Sequence, residues 1–210
     1  MFVKDFYVNE NEVVKGNKNQ SPKEVYEQLK QSGYRCIPVV SETGEYEGMI
    51  FKVHLLEHFH ENETLDATIS ELITNEEIHI RSEEPFIEAV SKIKAYPFLP
   101  VVEDGKFKGI LTHNKVMDVL EDIFGLKTGG INFTVSAFET TGVIERLGAI
   151  LKDENVEGFL TLDNGVDLIR RVVFTVKNES DANHIEELEE KIKQSGFRVV
   201  HVKQLDQPAS

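Results

Sequence analysis

GILTHNKVM, residues 109–117, repeats a pattern that the chain first contains as GMIFKVHLL, residues 48–56. Each copy begins with a glycine and two apolar residues, continues through a more polar segment and ends on two apolar residues. An internal repeat of this kind determines the architecture, because each copy forms one structural unit that packs against the other. The repeated segment therefore indicates a fold made of two related halves.

The similarity between the two halves extends well beyond this segment. Residues 21–59 align with residues 84–120, and Pro38 and Pro100 are each followed by two valines. The turn that follows is one residue longer in the first copy. Two copies predict a pseudo-symmetric pair, because a solenoid requires at least about three repeats.

Each copy is predicted to fold as β-α-β-β-α. Ser21 before Pro22 is typical of a helix start, since serine caps the first turn and proline suits the first helical position. The later helix of each copy is expected to begin near His54 or Asn114. Apolar residues recur at helical spacing in the first helices: Val25, Tyr26 and Leu29 in copy one, and Ile87, Val90 and Ile93 in copy two. The predicted strands are 11–16, 36–40 and 47–51 in copy one, and 76–82, 98–102 and 108–112 in copy two.

A different pattern follows the glycine-rich segment 126–130, which we interpret as a linker. It predicts β-α-β-β-α-β, the order of the ferredoxin-like split unit: strand 131–138, helix 142–151, strands 156–162 and 167–176, helix 182–195 and strand 197–205. The fold class predicted for the whole chain is therefore α/β (α+β).

Composition excludes several classes of protein. A net charge of −14 with no stripe of Lys or Arg repels nucleic acid and anionic lipid. No apolar run approaches the ~20 residues of a membrane span, and the N-terminus lacks the features of a signal peptide. The single cysteine, Cys36, forbids an intramolecular disulfide and is typical of a reducing compartment. We expect a cytoplasmic protein that binds neither a nucleic acid polymer nor a membrane.

The two copies resemble a tandem pair of CBS domains, the Bateman module. The resemblance rests on the hydrophobic-Pro-Val strand, the turn, and the Gly-hydrophobic-hydrophobic-Thr-x-x-Asp segment that leads into a helix. It covers roughly residues 1–125 and implies a first repeat at 1–62 and a second at 63–125. Such modules are regulatory and not catalytic. They bind adenine-containing ligands, such as AMP, ATP, S-adenosylmethionine or cyclic di-AMP, in the cleft between the repeats.

The chain departs from the CBS pattern at the positions that hold the ligand. In the family the Thr contacts phosphate and the Asp contacts ribose hydroxyls. The Thr positions are Phe51 and Thr112 here, and the Asp positions are His54 and Lys115, so only Thr112 matches. Lys and protonated His donate hydrogen bonds and attract phosphate, whereas a carboxylate accepts from hydroxyls. The exchange favours a ligand whose phosphates matter more than its hydroxyls, and cyclic di-AMP fits.

The resemblance gives a set of predicted nucleotide-binding residues: Arg35, Ile37, Pro38, Phe51, Lys52, His54, Arg81, Leu99, Pro100, Thr112, His113 and Lys115. Lys52 and Lys115 could instead be ordinary solvated residues of a first helical turn. Tyr34, Tyr46 and Phe51 could stack on a base, although aromatic residues at such positions belong to the core more often.

No catalytic residue, metal site or cofactor is predicted. His54 and His58 are four residues apart, the spacing of a metal pair, but no third ligand accompanies them and a polar helix end is the favoured interpretation. Cys36 lies within an apolar strand without a visible base, so it is interpreted as a core residue.

Residues 131–210 resemble an ACT domain, which commonly pairs edge to edge and binds an amino acid at a strand-to-helix turn. The usual Asp-x-Pro-Gly of that turn corresponds here to Thr140-Thr141-Gly142, without the proline. The effector candidates are Thr140, Thr141, Gly142 and Val143. A domain that only dimerises is an equally open interpretation.

The order of a CBS pair followed by an ACT domain resembles bacterial acetoin-utilisation-type proteins and cyclic-di-AMP-binding CBS–ACT proteins. The resemblance implies a homodimeric, nucleotide-sensing regulator with an unidentified target protein. The alternative is a protein-interaction scaffold whose degenerate CBS sites are empty.

Overall fold

A computed structural model of the chain describes residues 1–61, 68–138, 141–163, 169–177 and 182–206. The chain divides into two compact units, Met1–Val116 and Met117–Ser210. The mixed α/β class predicted from the sequence is confirmed.

The first unit contains the two repeats except for the last residues of the second, which follow Val116. The elements of the first repeat are β1 (Val8–Asn9), β2 (Gly16–Asn17), α1 (Pro22–Ser32), β3 (Cys36–Val40), β4 (Tyr46–Phe51) and α2 (Lys52–Glu61). Those of the second are α3 (Phe86–Lys92), β5 (Phe98–Glu103), β6 (Lys106–Thr112) and α4 (His113–Ile123). Short 3₁₀ helices are found at Val3–Asp5, Glu10–Glu12, Ile69–Leu72 and Ile93–Ala95.

The two hairpins have the same register, which confirms the internal repeat at the level of the backbone. Cys36 lies opposite Phe51 in the β3–β4 hairpin, and Phe98 lies opposite Thr112 in the β5–β6 hairpin. Each hairpin also has one register shift, directly after the valine that follows its proline. Equivalent residues of the two copies therefore occupy equivalent positions on the two sheets.

In each repeat, the segment that precedes the first helix pairs with the hairpin of the other repeat. β1 pairs antiparallel with β6, where Asn9 lies opposite Gly109, and Thr74 forms an antiparallel bridge with Met49. The sequence predicted strands at 11–16 and 76–82 instead. That prediction is wrong over most of both ranges, because residues Glu10–Glu12 form a 3₁₀ helix and Ile80 makes only a single bridge.

The repeated glycine of the opening pattern allows this exchange of segments. Gly109 has a φ of 153° and Gly48 a φ of 136°, which side chains rarely adopt. A Cβ atom on Gly109 would overlap the carbonyl oxygen of Val8, and one on Gly48 would lie 2.8 Å from the carbonyl oxygen of Thr74. The glycines are therefore required where the exchanged segments cross the hairpins.

The helices of the first unit differ in two respects from the sequence prediction. α2 and α4 begin at Lys52 and His113, one or two residues early, because each follows its strand without an intervening turn. α3 buries Phe86 and Ala89, whereas Ile87 is 69% exposed, so the prediction of its apolar face is wrong at Ile87. Ile93, in the 3₁₀ helix that follows α3, is buried as predicted. α1 is as predicted, with Ser21 as its capping residue.

The second unit has the β-α-β-β-α-β order that was predicted. Its elements are β7 (Gly130–Ala137), α5 (Val143–Ile150), β8 (Val156–Asp163), β9 (Arg170–Val176), α6 (Ala182–Gln194) and β10 (Arg198–Leu205). The strands form one antiparallel sheet in the order β10-β7-β9-β8, which confirms the ferredoxin-like arrangement. Phe133, Phe174, Leu147 and Leu188 belong to the core of this unit. The start of the predicted strand 167–176, residues 167–168, lies outside the described residues.

Within the described ranges, none of the helices is both long and apolar enough to span a lipid bilayer.

Candidate functional site

A cleft of about 690 Å³ lies within the first unit. This volume is typical of small-molecule sites, which measure about 300–1,000 Å³. The lining residues are Val8, Glu12, Val13, Val14, Gly33, Tyr34, Arg35, Cys36, Ile37, Pro38, Pro97, Phe98, Ile110, Thr112, His113 and Asn114.

Three separate parts of the chain form this cleft. The first part runs from β1 towards β2, the second runs from the end of α1 into β3, and the third joins β5 and β6 to the start of α4. Because β1 pairs with β6 and β2 pairs with β3, the first part connects the sheets of the two repeats. The cleft is therefore a product of the repeat and of the segment exchange together.

The Thr112 hydroxyl, directly before α4, lies on one side of the cleft. The Thr112 hydroxyl oxygen accepts from the Lys115 amide at 3.2 Å, and the His113 amide donates to the carbonyl oxygen of Pro97 at 3.0 Å. Both bonds fix the first turn of an 11-residue helix whose N-terminus favours negative charge. The hydroxyl hydrogen of Thr112 stays free to donate to a bound anion.

The cleft also carries charged side chains of both signs. Arg35 is exposed, and its guanidinium makes no ion pair with any described residue. The backbone carbonyl of Arg35 accepts from the Lys52 amide at 2.9 Å, which fixes its position at the start of β3. Glu12 contributes a carboxylate from the segment between β1 and β2. The site can therefore hold an anion together with a group that donates hydrogen bonds.

Apolar side chains form the remaining wall. Ile37 is 1% exposed and Phe98 is 5% exposed. Ile110 packs against the apolar cluster that contains Phe98. Burial raises the pKa of the Cys36 thiol to about 12, so this sulfur is protonated at neutral pH and a poor nucleophile. The wall can accept a flat aromatic base but supplies no reactive group.

The model of the CBS domain family matches residues 3–61 and 69–122 of this chain. The chain belongs to the CBS domain family. The two matched stretches make it a tandem CBS pair, as predicted. The domain boundaries proposed from the sequence stay predictions.

Solved structures of other CBS-pair proteins are similar to this CBS pair. CbpB in complex with cyclic di-AMP is 20% identical with a TM-score of 0.54, and the similarity covers 58% of this chain and 85% of that one. A CBS domain pair/ACT domain protein from Thermotoga maritima is 20% identical with a TM-score of 0.50, covering 57% and 96%. CBSX2, a protein of Arabidopsis thaliana, in complex with AMP is 23% identical with a TM-score of 0.52, covering 57% and 95%.

At these identities the similarity shows the fold alone. No curated protein is similar enough to this chain to count as a match.

The CBS pair brings five of the predicted nucleotide-binding residues together in the cleft: Arg35, Ile37, Pro38, Thr112 and His113. The other seven do not line it: Phe51, Lys52, His54, Arg81, Leu99, Pro100 and Lys115. The two residues of β5 in this second group are buried within their strand. The roles of all twelve in binding stay predictions.

The basic residues outside the cleft make other contacts. Lys52 Nζ lies 5.5 Å from the centroid of the Tyr26 ring, and Arg81 Nε lies 3.7 Å from a carboxylate oxygen of Glu103. The His54 ring lies 5.3 Å from the Phe51 ring. Within the described ranges, no three His, Cys, Asp or Glu side chains are grouped as a metal site would require.

Several cleft residues were not predicted from the sequence. Glu12, Val13 and Val14 precede the aligned stretch 21–59, so alignment of the two copies gives no information about them. Asn114 directly precedes the degenerate Asp position, so the motif could have suggested it. Tyr34, considered as a stacking residue, lines the cleft and is 54% exposed.

The turn predicted to bind an amino acid lies in the second unit. Gly142 precedes α5, accepts a hydrogen bond from the Arg146 amide at 3.0 Å, and is exposed together with Thr141. Val143 is 3% exposed and belongs to the core. Thr140 lies outside the described residues, so the complete turn is not described.

Proposed function

We propose that this chain is a non-catalytic regulatory protein that binds an adenine nucleotide in the cleft of its CBS pair. The observation that carries the proposal is the position of Thr112. It is the one threonine of the repeated motif, it directly precedes α4, and its strand partner in the β5–β6 hairpin is Phe98 of the apolar wall. A nucleotide site requires a hydrogen-bond donor for the phosphate beside an apolar surface for the flat base.

In the proposed complex the two ends of the nucleotide contact different walls. The phosphate accepts from the Thr112 hydroxyl and from the side chains of Arg35 and His113, because charge-assisted bonds to phosphate are the strongest available there. The base lies against Ile37 and Phe98. The regulatory effect follows from unequal affinity of the nucleotide for two arrangements of the protein.

The proposed ligand is cyclic di-AMP. Lys115 replaces the Asp that would accept from ribose hydroxyls, and it does not line the cleft. In cyclic di-AMP each 3′ oxygen belongs to a phosphodiester, so the free 2′,3′-diol that such an Asp binds does not exist. The complex of CbpB with cyclic di-AMP, a protein with the same fold, supports the inclusion of this ligand.

Glu12 favours a second candidate, a mononucleotide such as AMP. Its carboxylate lines the cleft and accepts hydrogen bonds, so it could bind the free diol in place of the missing Asp. The complex of CBSX2 with AMP is the matching example of the fold.

We also propose that the second unit is an ACT domain that pairs two chains into a cytoplasmic homodimer. The β-α-β-β-α-β order and Gly142 at the turn before α5 support this assignment. The residues near that turn are candidates for an amino-acid effector, and the target protein of the regulator is unassigned.

A thermal-shift screen tests the proposed function. A ligand that binds only the folded state stabilises it by about 2.7 kcal/mol at a hundred times its Kd, and so raises the melting temperature. We expect a rise with cyclic di-AMP, AMP, ATP or S-adenosylmethionine, and none with cyclic di-GMP or GMP. The absence of a rise with every adenine ligand would contradict the proposal and favour the interaction scaffold.

A matched pair of variants assigns the shift to the cleft. Thr112→Val removes the hydroxyl and keeps the side-chain shape, so at a hundred times the wild-type Kd a tenfold loss of affinity should reduce the ligand-dependent rise to about half. Thr161→Val, on the exposed face of β8, should leave the rise unchanged. An equal rise in both variants would place the ligand elsewhere.

A further inference from the structure

The pseudo-symmetry of the CBS pair places two equivalent positions at the ends of its two hairpins. Phe98 lies opposite Thr112 at the end of β6, and Cys36 lies opposite Phe51 at the end of β4. A helix begins directly after each strand. If the two repeats were identical in sequence, a second half-site would exist beside β4 with the geometry of the first.

The sizes of the opposed side chains are reversed between the two hairpins. At the end of β6 the strand partner Phe98 is large and buried, and Thr112 is small and borders the open cleft. At the end of β4 the strand partner Cys36 is small, and the large side chain is Phe51. Each hairpin thus has one phenylalanine in this pair, on the second strand in the first copy (Phe51 of β4) and on the first strand in the second copy (Phe98 of β5).

Phe51 packs against a buried cluster at the centre of the CBS pair. The cluster consists of Cys36, Met49 and Phe98, and Phe51 is among the partly buried side chains that cover it. Thr112, the residue equivalent to Phe51, lines the cleft, whereas Phe51 does not. The phenyl ring therefore packs on apolar side chains at the position where the other copy has the Thr112 hydroxyl.

The two equivalent tyrosines show the same asymmetry. Tyr34 is 54% exposed and lines the cleft, whereas Tyr96 packs against the central cluster together with Ile78. Asn114 of the cleft corresponds to Val53 in the other copy. At three equivalent positions, groups that border the cleft in one copy are replaced by packed or apolar groups in the other.

We infer that Phe51 closes the second half-site, so that each chain binds one nucleotide, at the Thr112 end of the pair. The inference rests on the proposed function and specifies its stoichiometry. A nucleotide at the β4 end would have to displace a packed phenyl ring, which could offer its phosphate no hydrogen-bond donor.

Calorimetric titration of the full chain with cyclic di-AMP, and separately with AMP, measures this stoichiometry. We expect whichever probe binds to saturate at one molecule per chain. Saturation at two per chain would overturn the inference while keeping the proposed function. No binding of either probe to the wild-type chain would overturn the proposed ligands. The packing of Phe51 in the second half-site is then tested by thermal unfolding of Phe51→Ala, described next.

Thermal unfolding without ligand tests the closure independently. Phe51→Ala should lower the melting temperature by about 5 °C or more, because it removes a ring from the central cluster. Ile87→Ala, an apolar residue of α3 that is 69% exposed, is the control and should have little effect. Equal melting temperatures for the two variants would show that Phe51 does not fill the half-site.

A second pair of variants compares equivalent positions of the two copies during the same titrations. Asn114→Ala, in the cleft, should weaken binding about tenfold, and Val53→Ala should leave the affinity unchanged. Equal weakening by both would show that the β4 end takes part in binding, and would overturn the inference.

Discussion

Lys106 Nζ lies 3.2 Å from Glu45 Oε1, and these two residues occupy equivalent positions in the two repeats. The backbones beside them are also paired, since the Tyr46 amide donates to the Gly105 carbonyl and the Phe107 amide to the Gly44 carbonyl, both at 3.0 Å. A residue can face its own equivalent only near a pseudo-two-fold axis. Opposite charges at this position make the two otherwise similar hairpins complementary.

Acidification should weaken this contact. A hydrogen bond from the Thr43 hydroxyl and the ammonium of Lys106 lower the pKa of the Glu45 carboxyl. A lowered folded-state pKa stabilises the fold above the unfolded value of about 4.3, and this contribution is lost as the pH falls through the folded value. Glu45→Gln should therefore show a smaller drop in melting temperature below about pH 4.3 than the wild type.

Glu88→Gln, an exposed position on α3, is the control for general charge effects. If Glu45→Gln and Glu88→Gln lose stability in acid as steeply as the wild type, the Glu45–Lys106 contact does not stabilise the fold.

Gly109→Ala should reduce the free energy of unfolding by about 2–4 kcal/mol, because the new Cβ would overlap the carbonyl oxygen of Val8 and force β1 from β6. Gly105→Ala provides the comparison, since Gly105 also has a positive φ, of 78°, but its Cβ would meet no atom within 4 Å. It should cost about 1–2 kcal/mol from backbone strain alone. Chemical denaturation measures both values, and a Gly105→Ala cost as large as that of Gly109→Ala would contradict the role assigned to the glycine.

Arg35→Ala should weaken cyclic di-AMP binding about tenfold, the equivalent of about 1.4 kcal/mol for a charge-assisted contact with phosphate. It should also make the remaining affinity less dependent on salt, because one cation no longer faces the anion. Titration at two salt concentrations measures both effects. Arg198→Ala, at an exposed position of β10, should change neither, and unchanged binding by Arg35→Ala would remove this residue from the phosphate site.

Cys36 should react slowly with a thiol reagent at neutral pH in the folded protein. Burial raises its pKa to about 12, and the thiolate is the reactive form. Labelling should become fast in concentrated guanidinium, where the thiol is exposed. Rapid labelling of the folded chain would show that the wall beside Cys36 opens more often than the described packing allows.

The repeat was the part of the fold that the sequence predicted best. Glycine and proline at matched spacings restrict the backbone directly, and the ends of the hairpins followed from them. The exchange of β1 and Thr74 between the repeats could not be predicted, because no residue in either segment identifies the strand with which it pairs. The apolar face of α3 was misassigned for a related reason, since Phe86 and Ile87 are adjacent and only packing distinguishes them.

The site was predictable where it lies within the repeated motif. Arg35, Thr112 and His113 were named from their motif positions and line the cleft. Glu12 lies outside the aligned copies and was missed. Thr112 lines the cleft whereas Phe51 packs against an apolar cluster, and this difference depends on tertiary packing, which a motif position does not encode.

Calorimetric titration of the purified wild-type chain and of Thr112→Val with cyclic di-AMP, beside AMP, ATP and S-adenosylmethionine, distinguishes a nucleotide sensor from a protein whose cleft binds no nucleotide. We predict micromolar or tighter binding of cyclic di-AMP to the wild type, at least tenfold weaker in Thr112→Val. Tight binding of AMP with no binding of cyclic di-AMP would support the cleft as a nucleotide site and contradict the choice of cyclic di-AMP as its ligand. No heat of binding from any of the four ligands would contradict the claim that this CBS pair is a nucleotide sensor.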